Sequence, residues 1–377
     1  MGLITRAIVM REAGKSPEIE AIELEQPRPD EAIVELQAVG ICHADLAVIH
    51  GKIPVPFPVV LGHEGAGIVR EVGAETTHVK PGDKVILTVN TCGECFYCNS
   101  RLPTYCEDTF ARTWSGRRPD QTTTLKDGSG KPIQGNFFGQ SSFSRLALVN
   151  KSTLIKVPQE TDLKLFAPLG CGIQTGSGVI FNTLNLQPGD SIAISGCGAV
   201  GLSGVMAAKE RGASIIIAVD LNSERLAIAK KLGATHAVNS RDGNTVKLIN
   251  EICPLPAGVK YTFDTSAVPK VIESMIAVTG RKGKIVVVGA TPFDQKISIQ
   301  PLEFLNMGKH FIGSVVGDSY PPEAIPHLIE LHSKGSFPLD QIVKYYKFED
   351  FQQAFDDMLS GPAIKPVLVF DDGDGLN

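Results

Sequence analysis

Three residues that bind transition metals well are spread over the first half of the chain. Cys42 and His63 bracket one proline-rich stretch, and Glu64 directly follows His63. A thiolate and an imidazole are good ligands for zinc, and Cys171, between two glycines, is the best candidate for a third ligand. Three protein ligands leave one coordination position for water or substrate, so this set predicts a catalytic rather than a structural zinc.

Four further cysteines lie close together in the sequence, at positions Cys92, Cys95, Cys98 and Cys106. This spacing is typical of a closed tetrahedral site in which four thiolates hold a structural zinc ion. Four cysteines could also hold an iron–sulfur cluster, or remain as free thiols without metal. The sequence favours zinc, and together with the first site this makes two zinc ions per chain.

A glycine-rich loop, residues 196–201, follows a predicted apolar strand and precedes a predicted helix. Gly196 permits a tight turn, Gly198 lets a pyrophosphate approach, and Gly201 lets the helix pack on the strand. Asp220 ends the next strand, where it would accept hydrogen bonds from an adenosine ribose. Its charge disfavours a 2′-phosphate and no Arg or Lys directly follows it, so NAD is predicted over NADP. The simpler alternative is an ordinary βαβ turn in which Asp220 caps the next helix.

The elements that must position these residues change character along the chain. Up to about residue 172, short strand-like runs alternate with Gly and Pro turns, which predicts a mainly β domain (1–172). Over 173–315, strands alternate with helical stretches, which predicts a doubly wound parallel sheet of six strands. Residues 316–377 are expected to return to the first domain. The long polar segment 107–143 is interpreted as a functional or lid-like loop rather than filler.

The composition is that of an ordinary globular protein. The 377 residues are 43% hydrophobic and 20% charged, with a formal net charge of −5. Basic residues are scattered along the chain, which argues against nucleic-acid binding. The first residues lack a signal-peptide pattern, and no apolar run reaches the length of a membrane span. We therefore expect no membrane association and a cytoplasmic location.

Taken together, the pattern resembles the zinc-dependent medium-chain alcohol dehydrogenases over nearly the whole chain. Residues 136–143, NFFGQSSF, make it most similar to the aryl- or benzyl-alcohol dehydrogenase branch. The resemblance implies an α/β protein with a GroES-like, mainly β catalytic domain, a Rossmann nucleotide-binding domain, and the active cleft between them. The residues that carry it are Cys42 with Asp45, Gly62, His63 and Glu64 with Gly67 and Gly73, the four-cysteine cluster, Cys171, the glycine loop and Asp220.

Carried over position by position, the resemblance makes Cys42, His63 and Cys171 the catalytic zinc ligands. It makes Glu64 a carboxylate able to approach the metal, and Asp45 the partner that orients His63. The residues implied to contact the cofactor are His43 and Lys365 at the pyrophosphate, Thr175 and Val200 at the nicotinamide, and Arg225 at the adenosine ribose. The candidates for the alcohol pocket are Ile53, Trp114 and Phe137, and for the last two core packing is an equally good explanation.

The function implied is hydride transfer between NAD(H) and an aromatic or allylic primary alcohol or aldehyde, in a homo-oligomer that is a dimer or tetramer. The family starts a proton relay from a Ser or Thr two positions after the first cysteine ligand, often with a His three further on. Here those positions are Ala44 and Ala47, so we hypothesise that protons leave through water to the ribose, helped by His50. Two alternatives stay open: a reductase of a conjugated C=O, C=N or C=C substrate, and a nucleotide-binding regulatory protein without turnover.

Overall fold

The computed structural model describes residues 2–254, 256–292 and 294–371. Backbone contacts divide the chain into two compact units, which are described separately. Unit 1 comprises Met1–Cys171, Tyr320–Ile329 and Asp340–Asn377, and unit 2 comprises Gly172–Ser319 and Glu330–Leu339. The first segment of unit 1 ends at Cys171, one residue before the predicted limit at residue 172. Beyond residue 315, the segments 316–319 and 330–339 group with unit 2, whereas the sequence assigns all of 316–377 to the first domain.

The strands follow one another from the amino terminus to the carboxyl terminus. They are β1 (Leu3–Met10), β2 (Glu18–Leu24), β3 (Glu31–Gly40), β4 (Val59–Val60), β5 (Gly65–Val72), β6 (Lys84–Leu87), β7 (Leu125–Asp127), β8 (Pro132–Ile133), β9 (Leu146–Asn150), β10 (Leu154–Val157), β11 (Ser191–Ser195), β12 (Ile215–Asp220), β13 (His236–Asn239), β14 (Val259–Asp264), β15 (Thr279–Val287), β16 (His310–Gly313), β17 (Val343–Lys347) and β18 (Lys365–Val369).

The helices are short in the first part of the chain and longer from residue 199 onward. They are α1 (His43–Ile49), α2 (Phe96–Asn99), α3 (Thr109–Thr113), α4 (Leu163–Phe166), α5 (Gly172–Gly178), α6 (Ala199–Glu210), α7 (Ser223–Leu232), α8 (Thr245–Ile252), α9 (Pro269–Val278), α10 (Pro301–Met307), α11 (Pro321–Ser333) and α12 (Phe351–Ser360). Within the residues described, none of the helices is both long and apolar enough to cross a membrane.

Unit 1 is built on two sheets, which confirms the mainly β prediction. One sheet has the order β4-β1-β2-β7-β8, and the other β10-β6-β5-β3-β18-β17, with β9 also paired to β3. Nine of the ten residues of β3 are buried, because the apolar side chains of both sheets pack into one hydrophobic core. β3 is therefore the central strand of this unit.

The ends of three neighbouring strands bring distant parts of the chain together. β3 pairs antiparallel with β5 on one side and with β18 on the other, with Val39 opposite Gly65 and Gly40 opposite Val367. The residues that follow β3, precede β5 and begin β18 must therefore meet at one end of the sheet. These residues include Cys42, His63, Glu64 and Lys365.

The segment 107–143, predicted to be a functional or lid-like loop, contains short regular elements. It contributes α3 and the short strands β7 and β8, and β7 extends a sheet by pairing with β2. A buried arginine, Arg118, anchors the segment to Glu31 and Glu25. Polar side chains of this segment therefore form hydrogen bonds with the rest of unit 1. Composition alone does not reveal these contacts.

Unit 2 contains a six-stranded, fully parallel sheet in the order β13-β12-β11-β14-β15-β16. This is the strand order of doubly wound dinucleotide-binding folds. The strands are almost continuous runs of buried residues, as in β11 and β12, because both faces of such a sheet are covered. The predicted doubly wound sheet is confirmed.

Candidate functional site

Four potential metal ligands converge in unit 1. The ligand atoms of Cys42, His63, Glu64 and Cys171 all lie within 4.8 Å of one another. His63 follows Gly62, whose φ of 89° is in the region that favours glycine, and a Cβ there would lie 2.5 Å from the backbone nitrogen of Phe143. The turn that presents His63 therefore depends on glycine.

Cys171 reaches the same place by a tight approach of two backbones. It directly follows a 3-10 turn at Ala167–Gly170. A Cβ on Gly170 would lie 2.1 Å from the carbonyl oxygen of Leu87, so this passage also requires glycine. The hydroxyl of Thr88 donates to the Gly170 carbonyl at 3.0 Å, which fixes the segment that carries Cys171.

Asp45 joins the two ligand segments of the amino-terminal stretch. Its carboxylate accepts hydrogen bonds from the backbone nitrogens of Cys42 and Gly62, each at 3.1 Å, and lies 3.0 Å from Nδ1 of His63. Asp45 and His63 are buried. A carboxylate accepts only, so Nδ1 carries a proton and Nε2 is the ring nitrogen that can bind a metal.

The chemistry of this donor set fits zinc. Nε2 of His63 is buried and has no hydrogen-bond partner among the described residues, which is an unfavourable state unless a ligand occupies it. Burial alone lowers the pKa of His63, but the negative charges of Asp45 and Cys42 outweigh burial and raise that pKa well above its ordinary value. A hydrogen bond from Cys171 and the charge of His63 hold the pKa of Cys42 well below its usual range. The same negative potential favours a divalent cation.

Glu64 and Lys365 form a buried ion pair beside these ligands. Nζ of Lys365 lies 3.0 and 2.8 Å from the two carboxylate oxygens of Glu64 and donates to the carbonyl oxygen of Ile41 at 2.9 Å. Both side chains are almost completely buried. Burial raises the pKa of Glu64 to about 7, although the charge of Lys365 lowers it.

Lys365, predicted to contact a cofactor pyrophosphate, lies inside unit 1, and that contact stays a prediction. An ammonium group has three donors, and here all three have partners inside unit 1. Lys365 is only 1% exposed. The reason is that β18 begins beside the end of β3, so its first side chain points to Glu64.

The second cysteine group forms a compact cluster. The Sγ atoms of Cys92, Cys95, Cys98 and Cys106 all lie within 4.8 Å of one another, and none of them is in a disulfide. The backbone nitrogen of Cys92 donates to Sγ of Cys106, and that of Cys95 to Sγ of Cys92, each at 3.3 Å. Backbone donors lower the pKa of Cys95 to about 6. Such donors stabilise thiolates, so the cluster fits a closed structural zinc site.

The glycine loop of unit 2 has the geometry of a phosphate-binding turn. Gly196 has a φ of 90°, and a Cβ on Gly201 would lie 1.8 Å from the carbonyl oxygen of Gly196. Nothing lies within 4 Å of a Cβ built on Gly198, which leaves room for a ligand. Asp220 accepts from the backbone nitrogen of Cys197 at 2.6 Å, which places the acidic residue beside the loop as predicted.

The other residues predicted to contact the cofactor have varied exposure. His43 is exposed at the start of α1, while Val200 in α6 and Thr175 in α5 are half-buried. A Cβ on Gly176 would lie 1.8 Å from the Val200 carbonyl oxygen, so α5 and α6 pack closely there. Arg225 is half-buried in α7, and its Nε is a buried atom without a hydrogen-bond partner among the described residues. Their contacts with a cofactor stay predictions.

Three aromatic side chains, Trp114, Phe137 and Phe138, form what we call the aromatic wall of the site. The ring of Phe138 stacks on the imidazole of His63 with centroids 4.3 Å apart, and Phe137 meets His63 edge-on at 5.8 Å. Trp114 packs edge-on against Phe138 at 4.9 Å and against Phe137 at 5.8 Å. The third predicted pocket residue, Ile53, is half-buried in the turn after α1 and packs on the core.

Two residues at the site were not singled out from the sequence. Phe138 has a φ of 53°, which is rare for a bulky side chain, and this conformation lays its ring on His63. Gln140 is buried, donates to the carbonyl oxygens of His63 and Thr88, and accepts from the backbone nitrogen of Gly65. The only sequence signal was their place in the segment that resembles the benzyl-alcohol branch.

Comparison with known proteins supports both halves of this description. The chain matches the family "Alcohol dehydrogenase GroES-like domain" over residues 28–159 and the family "Zinc-binding dehydrogenase" over residues 199–334. It is 37% identical to a geraniol dehydrogenase of Castellaniella defragrans over 366 residues, which cover 97% of each chain. These matches confirm the GroES-like and nucleotide-binding domains that the resemblance implies.

Two solved structures are similar over almost the entire chain. An alcohol dehydrogenase zinc-binding domain protein from Burkholderia ambifaria superposes with a TM-score of 0.95 at 43% identity, covering 98% of this chain and 99% of that one. Benzyl alcohol dehydrogenase from Acinetobacter calcoaceticus superposes with a TM-score of 0.93 at 39% identity, with the same coverage.

Proposed function

Because this chain belongs to the zinc-dependent medium-chain alcohol dehydrogenases, we propose that it transfers hydride between NAD(H) and an aromatic or allylic primary alcohol or aldehyde. The observation that carries this proposal is the buried Nε2 of His63, which has no hydrogen-bond partner in the described part of the chain, lies near two cysteines and belongs to a ring on which Phe138 stacks. The similarity to a geraniol dehydrogenase and a benzyl alcohol dehydrogenase supports the substrate class.

Cys42, His63 and Cys171 would hold the catalytic zinc, and the four-cysteine cluster a second, structural zinc. When bound, the catalytic ion supplies Lewis-acid chemistry that lowers the pKa of the alcohol, and NAD supplies the hydride acceptor. Asp45 keeps the proton of His63 on Nδ1. Lys365 neutralises Glu64, so the net charge beside the ligands stays closer to zero.

The aromatic wall would set the substrate class. A benzyl or allylic group that packs against Trp114 and Phe138 removes apolar surface from water, which contributes about 25 cal/mol per Å² buried. Ethanol is too small to gain this contact. The purified protein is therefore expected to oxidise benzyl alcohol and geraniol with a kcat/KM at least about tenfold above that for ethanol, measured as NADH absorbance. Bound zinc and cofactor with no turnover of any alcohol would contradict the proposal.

The Asp220 carboxylate is expected to select NAD over NADP. Replacing it in Asp220→Ser removes the acceptor for the ribose hydroxyls and the charge that repels a 2′-phosphate. We expect kcat/KM to fall about tenfold to a hundredfold with NAD and to rise with NADP, measured with benzyl alcohol at fixed ionic strength. A matched control, Asp242→Ser, removes an exposed acid of the same unit. It should leave the ratio of kcat/KM with NAD to kcat/KM with NADP unchanged. An unaltered ratio in Asp220→Ser would show that another residue selects the cofactor.

Alanine at positions 44 and 47, where the family carries a relay hydroxyl and often a histidine, favours one alternative, a reductase of a conjugated C=O, C=N or C=C substrate. Ala44 and Ala47 are half-buried on α1, and His50, the histidine hypothesised to help proton transfer, is exposed. An added hydroxyl in Ala44→Thr is expected to raise kcat for alcohol oxidation about tenfold, because positioned proton transfer contributes about 10²-fold or more. The effect on kcat is measured from the pH–rate profile of alcohol oxidation. No change in rate or in the alkaline limb would count against a missing relay.

A further inference from the structure

We propose that Arg118 is a positioning residue that holds the aromatic wall in place and thereby determines the preference for ring-bearing or extended alcohols. This inference rests on the proposed function for its substrate readout. Arg118 lies four positions after Trp114 and contacts neither a predicted zinc ligand nor the wall rings in the contacts described. Its influence would act through the backbone of residues 114–118.

The Arg118 side chain is buried and makes four hydrogen bonds, which hold it in one orientation. It is 3% exposed, and its Nε and Nη2 donate to the two carboxylate oxygens of Glu31 at 2.6 and 2.9 Å. Its Nη1 donates to Glu25 at 2.9 Å and to the carbonyl oxygen of Thr123 at 3.0 Å. A planar guanidinium that binds a carboxylate through two parallel hydrogen bonds fixes orientation as well as distance. Because Glu31 begins β3, the guanidinium is attached to the central strand of unit 1.

The backbone that precedes Arg118 is hydrogen-bonded to the segment that carries Phe137 and Phe138. The carbonyl oxygens of Gly116 and Arg117 accept from the backbone nitrogen and Nδ2 of Asn136, each at 3.0 Å. The Nε of Arg117 donates to Gln134 at 2.9 Å. Asn136 is buried and directly precedes Phe137. The Arg118 anchor and the Asn136 bridge therefore restrain both chain segments from which the wall rings project.

Secondary structure alone would not hold Trp114. The preceding helix, α3, has only five residues, of which only Thr113 is buried while Phe110 and Ala111 are exposed. Trp114 itself is only half-buried, so its ring depends on the placement of residues 114–118. Loss of the Arg118 anchor would loosen the wall beside His63, and misplacement by about 1 Å is enough to lower a rate substantially.

The test uses the single tryptophan of the chain as a built-in reporter. In Arg118→Gln, Trp114 emission is expected to shift to the red and to become more accessible to acrylamide. KM for benzyl alcohol is expected to rise about tenfold, while kcat/KM for ethanol and the Kd for NAD change less than about twofold. The ratio of kcat/KM for benzyl alcohol to that for ethanol should therefore fall about tenfold.

Arg145→Gln is the matched control, because Arg145 is also buried and donates to a buried glutamate, Glu35, at 2.6 Å. It should lower the thermal midpoint without changing Trp114 emission or the benzyl-to-ethanol ratio. If Arg118→Gln behaves like this control, the positioning role is wrong.

If Arg118→Gln does not fold, Arg118→Lys is the second variant, because it keeps the charge but loses the two parallel hydrogen bonds to Glu31. It should still shift Trp114 emission, and wild-type emission in the lysine variant would overturn the proposal. If no alcohol is oxidised, the proposed function fails, and the emission measurement still decides the role of Arg118.

Discussion

Replacing Cys171 in Cys171→Ala is expected to lower kcat/KM for benzyl alcohol about a thousandfold or more and to remove one zinc ion per chain. The sulfur of Cys171 lies within 4.8 Å of the ligand atoms of Cys42 and His63. Without it two strong ligands remain, which is fewer than catalytic zinc sites use. Lewis-acid stabilisation contributes several kcal/mol, and each 1.36 kcal/mol changes a rate about tenfold.

The control for this prediction is Cys253→Ala. Cys253 is a buried cysteine that packs in a hydrophobic cluster of unit 2 and is not part of either cysteine group. Its loss should leave the zinc content and kcat/KM close to wild type while lowering stability slightly. Zinc is measured by elemental analysis after dialysis, alongside steady-state kinetics. A Cys171→Ala protein that keeps its zinc and its activity would show that this cysteine is only a buried packing residue.

Replacing Lys365 in Lys365→Met is expected to lower the free energy of unfolding by about 3 to 5 kcal/mol near pH 8, because it leaves a buried carboxylate without its partner. Both oxygens of Glu64 lose a donor. Burial already raises the pKa of Glu64 to about 7, and removal of Lys365 raises it further. Since the protonated acid carries no charge, the loss should shrink as the pH falls toward about 7 and should change little below that value.

Two further variants separate this ion pair from a general effect of losing a lysine. The double variant Glu64→Gln/Lys365→Met removes both charges and should recover most of the lost stability. Lys309→Met breaks a contact with Glu303, whose side chain is 39% exposed, so water can replace the lost partner and the effect should be smaller. Urea unfolding gives the free energy of unfolding of the wild type and of the three variants. Equal losses in Lys365→Met and Lys309→Met would contradict a special cost at Glu64.

Local patterns were enough to predict the nucleotide-binding unit. Two of its helices, α7 and α8, begin where Asn222 and Asn244 cap them with side-chain hydrogen bonds. The six parallel strands follow from their apolar runs and the alternation with helices. The glycine loop is equally local, since its turn and the close approach of its helix are properties of consecutive residues.

The metal centre could be predicted in part. The residue types and glycine neighbours of Cys42, His63 and Cys171 indicate ligands, but only the pairing of β3 with β5 shows that the first two are adjacent in space. The pairing of β18 with β3 is a contact between residues more than three hundred positions apart, and no local pattern reveals that Lys365 faces Glu64. For the same reason, the sequence does not reveal the buried contact of Arg118 with Glu31, and residues 107–143 are interpreted from their polarity only as a functional or lid-like loop.

The central claim is that Cys42, His63 and Cys171 hold one zinc ion that the four-cysteine cluster does not. The most direct test is an anomalous difference map from crystals of the purified protein, with data collected on both sides of the zinc absorption edge. The account predicts two peaks per chain, one of them about 2.3 Å from the sulfurs of Cys42 and Cys171 and about 2.0 Å from Nε2 of His63. A single peak, located at Cys92, Cys95, Cys98 and Cys106, would contradict it.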